Sequence, residues 1–114
     1  MERQHIEEIV IASLIADFTR RWPDVRTALA EDCIRDPLLK STYHTIRQQA
    51  AAGLTPNFAT VTEGLTPEDH SRIAEIVAEK DFSWLKWKYN RHRYWSGRPV
   101  TDVRFADYVN KLIG

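Results

Sequence analysis

Cysteine is nearly absent. The single one, Cys33, rules out an internal disulfide and suits a reducing compartment. Its expected role is that of a small buried apolar side chain. Glycine is scarce as well. Four widely separated glycines build no phosphate-binding loop ending in Lys and Ser/Thr, so nucleotide hydrolysis is not expected. Net charge is missing altogether: 16 basic residues balance 16 acidic ones, and no whole-protein field draws the chain to nucleic acid or membrane. Long apolar runs are missing too. The longest clear one, 9–16, is too short to cross a bilayer and follows Glu7 and Glu8. A soluble, cytoplasmic protein with no membrane partner is expected.

Catalytic and metal-binding patterns are equally thin. His5, His44, His70 and His92 lie far from one another and from Cys33, without metal-ligand spacing, so each reads as a surface or hydrogen-bonded histidine. The acid pairs Glu7–Glu8, Glu31–Asp32 and Glu68–Asp69 read as helix-start residues, which the helix dipole accounts for without catalysis. No serine sits in a glycine-flanked elbow. No enzyme activity, cofactor or metal is expected.

What is present is enough for one helical domain. With 114 residues and 43% hydrophobic content, the chain reads as a single domain, 1–114, with one core. The best-marked stretch is 36–53. Asp36 offers an N-cap oxygen and Pro37 follows at the first helical position, where its missing N–H costs nothing. Leu39, Tyr43, Ile46 and Ala50 then share one helical face. Gly53 stands where a left-handed C-cap belongs.

Other helices follow from the same grammar. Residues 4–18 carry so broad an apolar arc (Ile6, Ile9, Val10, Ile11, Leu14, Ile15) that this helix should be central; Arg20 and Arg21 end it. Pro23 should open a second helix over 23–30. Asn57 should cap a short helix over 58–64, turning Phe58, Val61 and Leu65 inward. Thr66, Pro67, Glu68 and Asp69 open another, reaching about Lys80, with Ile73, Ile76 and Val77 as its stripe. The stretch 82–95 permits strand or helix and is read as helix. Thr101 or Asp102 caps a last helix with Phe105, Val109 and Leu112 on one side, and Ala106 and Ile113 beside them. No alternating strand pattern or hairpin dipeptide occurs. The expected fold is all-α, a compact bundle of about six or seven short helices.

Two stretches carry binding signals. Tyr43 and Leu65 bracket a helix–turn–helix outline, but 58–65 holds no Lys or Arg and includes Glu63, so base readout there is disfavoured. The stronger signal is 86–104, where Lys86, Lys88, Arg91, Arg93, Arg98 and Arg104 face one acid, Asp102. Trp84, Trp87, Tyr89, Tyr94 and Trp95 are interleaved with them. Three readings fit: a helix that buries its rings, a protein interface anchored by Trp, Tyr and Arg, or single-stranded nucleic acid stacked on the rings. The candidate partner-binding residues are Trp84, Trp87, Lys88, Arg91, Arg93, Tyr94 and Trp95.

The order of several soft markers resembles a known family. Leu14-Ile15-Ala16-Asp17 is followed by Arg21-Trp22-Pro23-Asp24-Val25 and Leu29-Ala30-Glu31-Asp32-Cys33, then Tyr43, Ile46, Gly53, Pro56, Thr60-Val61 and Leu65. This series resembles the N-terminal domain of DnaB-type replicative helicases over roughly 6–65, with an echo in Phe105-Ala106-Asp107-Tyr108-Val109. Departures are Cys33 in place of the usual aromatic, Asn57 where an Asp commonly caps, and a more basic and aromatic 82–98. No motor domain follows, so either an excised domain or a free-standing small protein is expected. The resemblance implies a helical core over 1–80 and an aromatic, basic segment with a closing helix over 81–114. It also implies a scaffold that pairs with copies of itself and docks on a replicative helicase, loader or primase. Single-stranded DNA is the alternative partner.

Overall fold

The Asp36-Pro37 start is met in the structure by a helix whose cap is made. In this computed structural model, which describes residues 2–80 and 102–114, Asp36 Oδ1 accepts the backbone N–H of Leu38 at 3.0 Å and of Leu39 at 3.2 Å. The helix so begun, Pro37–Ala51, ends as expected. Gly53 takes φ +80°, the Leu54 N–H reaches the Gln49 carbonyl at 2.9 Å, and the Gly53 N–H reaches that of Ala50 at 3.0 Å. These paired bonds satisfy carbonyls the last turn leaves open. Leu39, Tyr43 and Ile46 are fully buried.

Six α-helices are present among the described residues: α1 Arg3–Ala16, α2 Phe18–Val25, α3 Pro37–Ala51, α4 Phe58–Thr62, α5 Pro67–Lys80 and α6 Asp102–Ile113. A short 3-10 turn, Glu31–Cys33, precedes α3. No strand occurs among these residues, and the all-α expectation holds. The broad arc of α1 makes it the centre: its stretch from Ile9 to Ile15 is buried without interruption, and α5, α6, α2 and α3 pack around it. From α5, Ile73 and Ile76 enter the core, and from α6, Phe105, Tyr108, Val109 and Leu112. No helix of the described residues is long and apolar enough to cross a membrane.

The structure corrects the sequence reading at five points. The first helix stops at Ala16, because Asp17 adopts φ −145° and ψ 55° and breaks the run. Arg20 and Arg21 therefore do not end α1 but lie within α2, where Arg21 is buried and its guanidinium sits 5.1 Å from the centre of the Phe105 ring. Pro23 does not open a helix over 23–30; it lies inside α2. In a regular helix a residue here would donate its N–H to the carbonyl of Thr19, and Thr19 is exposed, where a lost intrahelical bond costs less than in the core. The short helix stops at Thr62 rather than at 64, since Glu63 is extended and Gly64 has φ +84°. On α6, Ala106 and Ile113 face solvent and Tyr108, three residues after Phe105, takes the inward position. Cys33 is half-buried against the core rather than enclosed by it.

Candidate functional site

The most buried charge in the described residues belongs to Glu7, which is 1% exposed. A carboxylate removed from water must be met by donors. Its Oε1 accepts the backbone N–H groups of Arg35 and Asp36, both at 3.0 Å. Its Oε2 lies 3.5 Å from Arg3 Nε, close enough for charge although no hydrogen bond forms there. Arg3 Nη2 donates to the carbonyls of Cys33 at 2.7 Å and Leu112 at 2.8 Å. One ion pair on α1 therefore ties down the entry to α3 and the end of α6. The reading of Glu7 as a helix-start acid is corrected by these bonds; Glu68 and Asp69 do sit in the first turn of α5.

Asp36 extends this cluster. Beyond capping α3 it holds Arg72 of α5 in a two-pronged pair, Nη1 to Oδ1 at 3.1 Å and Nη2 to Oδ2 at 2.7 Å. The hydrogen bond from Arg72 holds the Asp36 carboxyl below the usual aspartate range, outweighing the opposing effect of burial. The same bond raises the Arg72 guanidinium. A cleft of about 290 Å³ opens here, lined by Arg3, Gln4, Glu7, Arg35 and Asp36. Its two carboxylates are committed to backbone N–H groups and arginines, so the chemistry of the cleft is that of a structural clamp.

A second hollow has a different character. Trp22 and Arg26 on one side and Arg47, Ala50 and Ala51 of α3 on the other, with Thr27, line a groove of about 380 Å³. Trp22 stacks on Phe18 with ring centres 5.4 Å apart and an interplanar angle of 22°. Arg47 is braced from below. Its Nη1 donates to the Leu29 carbonyl at 2.9 Å, the same oxygen that takes the Tyr43 hydroxyl at 2.6 Å, and its guanidinium lies 5.7 Å from the centre of the Tyr43 ring. Burial pushes the Tyr43 phenol up, which keeps it the donor in that bond. Arg47 Nε lies 3.9 Å from Glu31 Oε1, but His44 Nδ1 is much nearer to that oxygen, at 2.6 Å.

The residues singled out by the sequence, Trp84, Trp87, Lys88, Arg91, Arg93, Tyr94 and Trp95, all lie outside the described residues, as do the helix read over 82–95 and His92. The groove beside Trp22 was missed. Its signal was the spacing of Phe18, Trp22 and Arg26, four residues apart in each step, hidden as long as Pro23 was taken for a helix start. No protein-family model, curated protein or solved structure matches this chain.

Proposed function

We propose that this chain is a non-enzymatic protein–protein interaction domain of the DNA replication machinery, which docks on a replicative helicase, its loader or primase. The observation that carries this reading is the use the fold makes of the family-like markers. Leu14, Val25, Leu29, Tyr43, Ile46 and Val61 are buried, and Gly53 takes the left-handed turn that ends α3. Those apolar markers and that glycine serve one bundle, which is what the proposed resemblance requires of them. The two carboxylates of the clamp support a scaffold role, because Glu7 and Asp36 are both committed to holding helices together. Trp84, Trp87, Tyr94 and Trp95 supply the anchors in this reading, and Lys88, Arg91 and Arg93 the charge complementarity.

The test is co-elution of the purified chain with the helicase, the loader and the primase of its own host, each taken singly. A stable complex with one of them is expected, weakened about tenfold or more when Trp87 and Trp95 are both replaced by Ala. Passage of the chain through all three mixtures as a free species would overturn the reading.

A further inference from the structure

We infer that the groove between α2 and α3 binds an acidic segment of a protein partner, with Arg26 and Arg47 as its carboxylate anchors and Trp22 as its apolar wall. The partner class rests on the interaction-domain reading; the site rests on its own geometry. Among the described residues two guanidinium groups and no carboxylate line the groove; Glu31, outside the lining, lies 3.9 Å from Arg47 Nε and is held more closely by His44 at 2.6 Å. Arg26 is exposed and makes no side-chain ion pair among the described residues. Arg47 is oriented by the Leu29 carbonyl and the Tyr43 ring, so part of the ordering of a long side chain precedes binding. A fixed guanidinium favours a carboxylate, which it meets with paired N–H groups. The alanines matter as well. Ala50 and Ala51 form a floor without long side chains, so a partner backbone can come close enough for its acids to reach both arginines. Trp22, half-buried and held flat against Phe18, offers a ring to a neighbouring aliphatic side chain without first having to be ordered.

Charge decides among the occupants. A basic segment would place its cations against Arg26 and Arg47, and a purely apolar one would bring no charge partner to Arg26. An acidic segment with one aliphatic residue meets all three features. This site lies on the described part of the bundle and is distinct in sequence from 82–98.

The experiment uses the full chain and two fluorescein-labelled peptides. One has a leucine flanked on each side by two glutamates; the other carries glutamine in place of each glutamate. Backbone amide and tryptophan indole NMR shifts are followed during titration, with affinity read from the same series. The acidic peptide is expected to move the Trp22 indole and the amides of Arg26, Thr27, Ala50 and Ala51. It should bind about tenfold or more tightly than the glutamine peptide, and Arg26→Glu should abolish the difference. Arg26→Glu leaves every described tertiary contact in place, and Ala51→Glu, also at an exposed position, is a second variant that should weaken binding. Equal binding of the two peptides, shifts centred elsewhere, or acidic-peptide binding untouched by Arg26→Glu would overturn the inference. So would shifts at these residues that track the concentration of the chain alone, since a second copy would then be the occupant. Peptide binding without any helicase, loader or primase complex would remove the partner class and leave the site. A replication complex indifferent to Arg26→Glu, with no peptide binding, would do the reverse.

Discussion

Glu7 is the most buried charge described, and its hydrogen-bond partners come from a distant part of the chain. Replacing it by leucine of similar length takes the acceptor from two part-buried backbone N–H groups and removes the charge that faces Arg3. Glu7→Leu should cost about 3–5 kcal/mol in urea unfolding. Glu7→Gln keeps one oxygen for the two N–H groups and should cost about 1–2 kcal/mol. Equal costs for the two variants would mean that the paired N–H groups are not what holds the glutamate. Asp36 allows a test by pH. Its folded-state carboxyl titrates below the ordinary value near 3.8, so its contribution is present at neutral pH and is lost as pH falls below about 4 through the lowered value. Asparagine can still cap α3 but cannot pair with Arg72 as an anion. Asp36→Asn should therefore be about 1 kcal/mol less stable than the parent at pH 7, with a smaller gap at pH 3. A gap unchanged between the two pH values would deny the ion pair its role.

At the scale of elements, the prediction concerns Pro23. It is exposed inside α2, where it removes one intrahelical bond. Pro23→Ala restores that donor and should raise stability by up to about 1 kcal/mol, read from the thermal midpoint, after the greater freedom of the unfolded chain is counted. A clear loss would instead suit a proline that starts a helix. The same element shows where sequence reading reaches its limit. The start and end of α3 were legible because each depends on neighbours within a few residues: Asp36 caps 38 and 39, and Gly53 closes on 50. The centrality of α1 was legible from the width of its apolar arc. The break at Asp17 was not, since this aspartate makes no side-chain cap bond and the stop signals Arg20, Arg21 and Pro23 follow it. Glu7 was misread for a related reason. Its hydrogen-bond partners lie 28 and 29 residues away, and nothing in the local pattern of 3–16 points to them. The candidate site was legible only in part. The ring-and-cation segment stood out by composition and lies outside the described residues, whereas the groove beside Trp22 forms only where Trp22 and the turn after α2 come beside the end of α3.

At the scale of the molecule, a central helix and a polar clamp together give the rigid body that the proposed docking role requires. The clamp draws α1, α3, α5 and α6 together through Arg3, Glu7, Asp36 and Arg72, and so fixes the surfaces that the surrounding helices present. Overall neutrality fits a protein partner better than a polyanion, since nucleic-acid binding draws on a net excess of cations. The most direct test of the docking role is one titration of the full chain, carried out at about 50 mM and about 200 mM salt, against the host's replicative helicase and against single-stranded DNA. The account predicts a helicase complex whose affinity changes only a few-fold between the two salts, and DNA binding that is weak at the lower salt and lost at the higher. Tight DNA binding with a steep salt dependence, and no helicase complex at either salt, would contradict it.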